Sequence, residues 1–375
     1  MKRLSIKKKI VALFISILCF FGYSVKCQSF YDKLYFTFQP EYATLVAHHK
    51  ELKALSLYNF PNLELNIYRQ TTGDAEWEKR WNYPQSGISL YYNGLSNKKV
   101  YGEAFSILPF QSFTFFRHLR HEQRLMIAAG LGYLSHPYDS LTNPENIAIG
   151  SHFNFAAKFQ YSFLYRIKPT IGLSVGTSFG HFSNGATRYP NWGINVWSFS
   201  VGLHVKLNQK LIPFVDPPAN IFNKKWIPYI WGAWGTKQNS QSDPKLYNAT
   251  SFGFGISRNY RYGKEWMTGI DVFWDYTDKI EFNNKQEFPN NFQLFKWGLY
   301  GGHEWSMNRF SAVFQTGIYL YQYSYFSKRK TDPIYSRVAF RYKITNGIQA
   351  NISIKSHFAR ADYIEWGLVY KFKHQ

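Results

Sequence analysis

Two polar side chains, His181 and Ser183, stand two residues apart in a segment that otherwise alternates between apolar and small residues. A serine attacks an ester when a neighbouring base removes its proton, and an imidazole commonly serves as that base. Side chains at positions i and i+2 of a strand share one face, with Cα atoms roughly 6.5–7 Å apart, so the two groups can meet. The spacing is compatible with a serine esterase, but on its own it is a weak motif that fits a merely polar rim on an apolar face better.

An ester hydrolase also needs hydrogen-bond donors for the oxyanion that develops on the substrate carbonyl. One such donor commonly contributes roughly 10²–10³-fold in rate. The loop after Ser183 offers the side-chain amides of Asn184 and Asn191 and the backbone N–H of Gly185. We predict that this loop supplies the oxyanion hole.

The elements that must position these groups are two strands with regular alternation. Residues 171–183 place apolar side chains on one face and Gly or Ser on the other, and residues 195–206 repeat the pattern. The apolar face of the first strand runs into His181 and Ser183, and that of the second begins at Asn195. Successive strand residues face opposite sides, so the polar cluster lies at the edge of an apolar face, where an enzyme would meet a lipid.

The same alternation recurs along the chain and predicts an all-β fold, an antiparallel transmembrane β-barrel. The alternating segments include 153–163, 252–257, 266–276 and the pair 338–344 and 348–354, which an Asn346-Gly347 turn joins into a hairpin. Aromatic residues form 20% of the chain, as in barrels with aromatic girdles. We expect one barrel domain over residues 28–375, with about 14 strands or alternatively about 12, because single-chain barrels favour even numbers. The Pro-rich stretch 212–223 is expected to be a loop.

The first 27 residues predict a secretory signal peptide, because basic residues and no acidic residue flank an apolar core at 10–23. We expect cleavage after Cys27, which removes Cys19 as well and leaves no disulfide framework. The formal charge of the whole chain is +21. After export, such an excess favours phosphorylated lipid surfaces over nucleic acid, although basic loops around a soluble fold would give the same charge.

Loop length predicts the orientation in the bacterial outer membrane. The link at 166–170 is short, as periplasmic turns are, and the 184–194 loop is longer, as external loops are. His181 and Ser183 would then lie near the outer leaflet and face lipid.

The segment His181-Phe182-Ser183-Asn184-Gly185, followed by Pro190-Asn191-Trp192-Gly193-Ile194-Asn195, resembles the active-site segment of the outer-membrane lipid A 3-O-deacylases, whose longer relatives are often called acyloxyacyl hydrolases. The resemblance is best over 150–207, and that family's eight-stranded barrel accounts for only part of this chain. It implies an esterase that needs no cofactor and removes a 3-linked acyl chain from lipid A of lipopolysaccharide, among outer-membrane lipids. It further implies that Ser183 is the nucleophile, that His181 is the base, and that Asn191 and the 184–185 amides form the oxyanion hole.

One position departs from the family pattern. In the family an acidic residue orients the histidine, and the corresponding position of this chain is Asn195. The Asn195 side-chain carbonyl can accept a hydrogen bond from the imidazole but cannot stabilise imidazolium by charge. Glu103 or Glu145 would be alternative carboxylates, and an inactive lipid-binding barrel is a further alternative.

A porin-like channel is the rival class, because a barrel of about 14 strands could leave an open lumen. The basic residues that would bias such a lumen toward anions are Lys158, Lys206, Arg341, Lys343 and Lys355. His181 and Ser183 on the lipid-facing wall favour the enzyme, and in the lumen they favour the channel. Ser178 completes a G-x-S-x-G motif at 176–180, but mid-strand it lacks the strand–turn–helix elbow which that motif requires and is expected to face the lumen. The dispersed histidines do not predict a metal site.

Overall fold

A computed structural model describes residues 32–47, 50–54, 56, 58–216, 224–323, 332–358 and 360–372. The predicted signal peptide, with Cys19 and Cys27, lies outside the described residues. Among the helices in the described part of the chain, none has the length and apolar character needed to cross a membrane.

The first barrel is a closed sheet of eight antiparallel strands. Its strands are β1 (Leu34–Leu45), β2 (Phe60–Gln70), β3 (Gln85–Asn93), β4 (Ala104–Arg117), β5 (His121–Leu134), β6 (Phe153–Lys168), β7 (Ile171–Ser183) and β8 (Ile194–Lys206). Two short helices, α1 (Lys50–Ala54) and α2 (Glu76–Arg80), lie in its connections. Pairing of β8 with β1, with Lys206 opposite Tyr35, closes the cylinder.

The second barrel also closes with eight antiparallel strands. They are β9 (Trp226–Ser240), β10 (Asp243–Arg261), β11 (Lys264–Asp275), β12 (Lys296–Met307), β13 (Phe310–Tyr321), β14 (Ile334–Lys343), β15 (Ile348–His357) and β16 (Arg360–Lys371), with α3 (Tyr276–Asn284) between β11 and β12. Pairing of β16 with β9, with Lys371 opposite Tyr229, closes this cylinder.

The prediction of an all-β antiparallel barrel is confirmed, and the strand number is corrected. Sixteen strands close as two barrels of eight, in place of one cylinder of about 14 strands over residues 28–375. Alternation in the sequence marks each strand but carries no information on which distant strand it pairs with. The segment 207–225, which includes the whole Pro-rich stretch 212–223, separates the two barrels along the chain, and its residues 217–223 lie outside the described residues.

Both barrel interiors are filled by charged and polar side chains that pair with one another. In the first barrel, the buried Lys158 ammonium lies 2.6 Å from Glu41 and 2.9 Å from Glu64. In the second, the buried Arg337 guanidinium lies 2.9 Å from Asp271 and 2.7 Å from Glu365. An eight-stranded barrel is only wide enough for its own side chains. This filling argues against the channel alternative.

The basic residues proposed for an anion channel therefore have other surroundings. Lys158, Arg341 and Lys355 are buried against carboxylates, and the Lys206 ammonium donates to the Lys210 carbonyl. Lys343 is exposed at the end of β14.

The two barrels contact each other at both ends. The long-loop end carries the connections 135–152 and 184–193 of the first barrel and 276–295 of the second, and the opposite end carries the turn 169–170 and the connection 71–84. At the opposite end, Trp81 Nε1 donates to the carbonyl of Ser306 at 3.3 Å, and the Lys264 ammonium lies 5.2 Å from the centre of the Trp81 ring. At the long-loop end, Gln238 of β9 contacts the connection between β7 and β8. The barrels thus lie side by side.

Candidate active site

The outer wall of the first barrel carries both His181 and Ser183. Alternation places them on the same face of β7 as Leu173 and Val175, which are 44% and 57% exposed. Phe182 points the other way and is buried in the core of the barrel. Ser183 is nevertheless only 5% exposed, because the loop that follows folds over it.

His181 is oriented by Asn195, its partner in the β7–β8 ladder. The register sets the two residues opposite each other, and His181 Nδ1 lies 2.6 Å from Asn195 Oδ1. An amide oxygen accepts, so Nδ1 carries the proton and Nε2 is the basic nitrogen of the neutral ring.

Gly193 packs directly against the His181 ring. Its φ of +81° lies in the left-handed region that favours glycine. A Cβ there would come within 2.8 Å of His181 Cε1. Both the backbone and the ring therefore require glycine at this position.

The hydroxyl of Ser183 is surrounded by donors from the β7–β8 loop. Gly185 N–H donates to Oγ at 3.2 Å, and Asn191 Nδ2 donates to Oγ at 3.0 Å. Asn191 Oδ1 lies 3.2 Å from Oγ and accepts the backbone N–H of Asn184 at 2.9 Å, which fixes the amide plane. These groups converge on the atom that would attack a carbonyl.

The side chain of Asn184 shapes the loop. Its Nδ2 donates to Ser151 Oγ at 3.0 Å and to the carbonyl of Arg188 at 2.8 Å. Both of its amide hydrogens are therefore committed, which separates it from Asn191. The sequence did not distinguish the two asparagines, since each is a polar amide in the same connection.

Neighbouring loops of the first barrel hold Asn191 and Asn195 in place. Asn191 forms an isolated β-bridge with Ile149, and the carbonyl of Ala148 accepts from Gly193 N–H at 3.0 Å. The Asn195 carbonyl accepts from Val46 N–H at 2.9 Å. Sequence reasoning missed these backbone contacts, because they carry no side-chain signal.

The two alternative carboxylates lie in other environments. Glu103 Oε1 accepts from Tyr92 Oη and from Lys98 Nζ, each at 2.8 Å. The Lys98 hydrogen bond, with that of Tyr92, lowers the pKa of the Glu103 carboxyl. Glu145 is exposed. The structure thus assigns the Nδ1 partner of His181 to Asn195.

Two other serines that attract attention lie inside the first barrel. Ser178, of the G-x-S-x-G motif, faces the lumen as expected and lies 2.7 Å from Ser198 Oγ. Ser174 Oγ lies 2.8 Å from His204 Nε2, a serine–histidine pair 30 residues apart that no local motif marks. Both serines lie on the inward face of β7, so neither can meet a lipid at the outer wall. Within the described residues, no group of three or more His, Cys, Asp or Glu side chains could hold a metal ion.

A small void of about 10 Å³, room for about one water molecule, lies beside Asn195 at the long-loop end of the first barrel. Its lining consists of Leu45, Val46, Ala47, Leu52, Tyr101, Ala148, Gly193, Ile194 and Asn195. Burial raises the pKa of Tyr101 to about 12, so its hydroxyl stays protonated.

The fold and the site define a β-barrel protein with a serine and a histidine on its outer wall. A family model described as lipid A 3-O-deacylase (PagL) matches residues 62–204, and one described as the C-terminal domain of acyloxyacyl hydrolase matches residues 226–374. Together they cover most of the chain, which belongs to the lipid A 3-O-deacylase and acyloxyacyl hydrolase family. The first match falls on the first barrel and the second on the second barrel. Membership supports a hydrolase that removes acyl chains from lipid A.

Among solved structures, the chain is similar to Neisserial surface protein A, with 13% identity over 46% of this chain and 96% of that chain and a TM-score of 0.33. It is also similar to a triple mutant of the Rhodopseudomonas blastica porin, with 9% identity over 90% of this chain and 99% of that chain and a TM-score of 0.17. No curated protein matches the chain.

Proposed function

We propose that the chain is a serine esterase of the bacterial outer membrane that removes the 3-O-linked acyl chain from lipid A. One observation carries the proposal. Gly185 N–H and Asn191 Nδ2 converge on Ser183 Oγ at 3.2 and 3.0 Å, on the outer wall and two residues from a histidine whose Nδ1 is bonded to Asn195.

The chemistry is inferred from the residue types that share this face. In the structure the Ser183 hydroxyl donates to Asn191 Oδ1 at 3.2 Å, so it must turn toward His181 for the first step. His181 Nε2 takes the proton of Ser183 Oγ as the oxygen attacks the ester carbonyl carbon. Gly185 N–H and Asn191 Nδ2 donate to the oxyanion of the tetrahedral intermediate. The sugar hydroxyl leaves with the proton from His181, and the acyl group stays on Ser183. Water then attacks the acyl-enzyme with His181 again as base, which releases the fatty acid and restores the serine.

The outer wall supports a lipid substrate. Large apolar side chains of β7 and β8 below the site are strongly exposed, among them Val175 at 57%, Phe199 at 65% and Val201 at 57%. Exposed apolar surface of this extent marks a lipid or protein contact. In this arrangement acyl chains lie against the strands, and the basic excess of the chain attracts the phosphorylated head group.

A catalytically inactive lipid-binding barrel is the second candidate, and the neutral side chain at Asn195 favours it. Such a protein would share the same outer wall without turnover. Activity measurements therefore separate the two candidates.

The test is mass spectrometry of purified lipid A after incubation with the detergent-solubilised chain. We expect loss of one 3-hydroxyacyl chain with the unmodified protein and with Ser140→Ala, which alters an exposed loop serine. Ser183→Ala should leave lipid A intact while keeping the barrel folded. Undiminished release by Ser183→Ala would refute the mechanism, and intact lipid A with the folded, unmodified chain would favour the inactive barrel.

A further inference from the structure

Gln238 lies on the outer face of β9 and yet is almost completely buried. It shares this face with Ile230 and Trp234, which are 46% and 51% exposed, whereas Gln238 is 5% exposed. The covering group is the β7–β8 loop of the first barrel. A polar side chain at such a contact requires hydrogen-bond partners.

Those partners are backbone groups of the loop that surrounds Ser183. Gln238 Oε1 accepts Tyr189 N–H at 2.6 Å, and the backbone N–H of Gln238 donates to the carbonyl of Ala186 at 3.3 Å. Ala186 has a φ of +61°, in the left-handed region that non-glycine residues rarely adopt. The second barrel therefore ties down a conformation that the loop would not favour alone.

A second contact reaches the loop at Gly185. A Cβ at Gly185 would come within 2.3 Å of Ile364 Cγ1 on β16, so the Gly185 backbone packs directly on the second barrel. Gly185 N–H is one of the two donors to Ser183 Oγ. The second barrel thus supports both ends of the segment 185–189.

We propose that the second barrel is a positioning element for the catalytic loop of the first, and that Gln238 is its principal positioning residue. The inference rests on the proposed esterase function. The Gln238 side chain holds Tyr189, while its backbone N–H holds Ala186. The side-chain contact, which the variants below remove, sets the path of the loop from Gly185 to Asn191. A displacement of about 1 Å in such groups can lower a rate by about 10²-fold without loss of substrate binding.

The contact between the barrels at the opposite end provides a matched control. Trp81 Nε1 donates to the Ser306 carbonyl, at the end of the barrels away from Ser183. Trp81→Phe removes this hydrogen bond and keeps an aromatic ring. If the contacts served only to hold the barrels together, Trp81→Phe and Gln238 variants would have similar effects.

The experiment compares Gln238→Leu, Gln238→Glu and Trp81→Phe in the full chain, with lipid A and a short-chain p-nitrophenyl ester as substrates. Leu has no acceptor for Tyr189 N–H, whereas Glu keeps one at the same reach. We expect kcat to fall about 10–100-fold in Gln238→Leu with KM within about twofold. Gln238→Glu should recover most of kcat, and Trp81→Phe should match the unmodified chain. Gln241→Leu, at an exposed position in the following turn, controls for the added apolar side chain.

Unchanged kcat in Gln238→Leu, or an equal loss in Trp81→Phe, would overturn the positioning role. If Gln238→Leu does not assemble, Ile364→Ala provides the same test through Gly185, with a fall in kcat expected and an unchanged kcat contradicting the proposal. Ser183→Ala separates a failure of the proposed esterase function from a failure of the positioning role. An active Ser183→Ala removes the esterase mechanism, whereas an inactive Ser183→Ala beside a fully active Gln238→Leu removes only the positioning role.

Discussion

Replacing Asn195 with Asp measures how far a neutral orienting group limits the chemistry. Asn195 Oδ1 lies 2.6 Å from His181 Nδ1, and an Asp carboxylate has the same shape, so its oxygen would occupy the same position. A neutral hydrogen bond contributes about 0.5–1.5 kcal/mol and one to a charged group about 1.5–3 kcal/mol. Because imidazolium forms in the transition state, we expect a gain of about 1–1.5 kcal/mol, or roughly 5–12-fold in kcat/KM.

The pH dependence of kcat/KM provides a second test of the Asn195→Asp prediction. A carboxylate beside the imidazole also favours its protonated form in the free enzyme, and only the neutral ring can accept the Ser183 proton. The acid limb of the kcat/KM profile should therefore move to higher pH in Asn195→Asp, with the full gain on the alkaline plateau. Asn195→Ala removes the acceptor that fixes the tautomer, and we expect a loss of about 10²-fold or more.

The assay is kcat/KM on lipid A in mixed micelles, measured from about pH 5 to about pH 10 for all three proteins. The reasoning is refuted if Asn195→Asp leaves both the plateau and the acid limb unchanged while Asn195→Ala is as active as the unmodified chain. Asn195 would then have no part in orienting His181.

Two further predictions concern the packing of His181 and the buried ion pairs of Lys158. Gly193→Ala should lower kcat by about 10-fold or more in a folded barrel, because the added methyl would press on the His181 ring, and an unchanged kcat would show that the ring has room to move. Lys158→Met should destabilise the first barrel by about 3–5 kcal/mol, because it leaves two buried carboxylates without their cation, and urea unfolding midpoints would check this. Equal midpoints would mean that water or another group replaces the ammonium.

Much of the outer wall could be predicted from the sequence. Alternation at 171–183 predicted which residues face outward, and the Asn346-Gly347 turn predicted the hairpin that joins β14 to β15. Both signals are local, because a strand of period two and a two-residue turn are set by adjacent residues.

The closure of two barrels could not be obtained in the same way. It depends on Lys206 meeting Tyr35 and Lys371 meeting Tyr229, which are pairings between strands far apart in the chain. Dividing the chain length by an average strand repeat treats the whole chain as one cylinder. The resemblance to an eight-stranded family over part of the length, together with the Pro-rich stretch 212–223, was the available sign of a second barrel.

The same contrast between local signals and long-range contacts applies to the candidate site. His181, Ser183 and Asn195 share a strand pair, so their placement follows from register. The roles of Asn184 and Asn191 differ because of hydrogen bonds to Ser151 and to the loop backbone, which spacing does not encode. Gln238 lies in the other barrel, and only tertiary structure brings it to the loop.

The most direct test of the central claim is covalent labelling of the full-length chain with a lipophilic fluorophosphonate, followed by peptide mass spectrometry. A nucleophilic serine activated by a histidine should carry the adduct at Ser183, and His181→Ala should abolish labelling in a folded barrel. The account is contradicted if the adduct forms on another serine such as Ser178. It is also contradicted if the chain deacylates lipid A while Ser183 stays unlabelled and Ser183→Ala remains active.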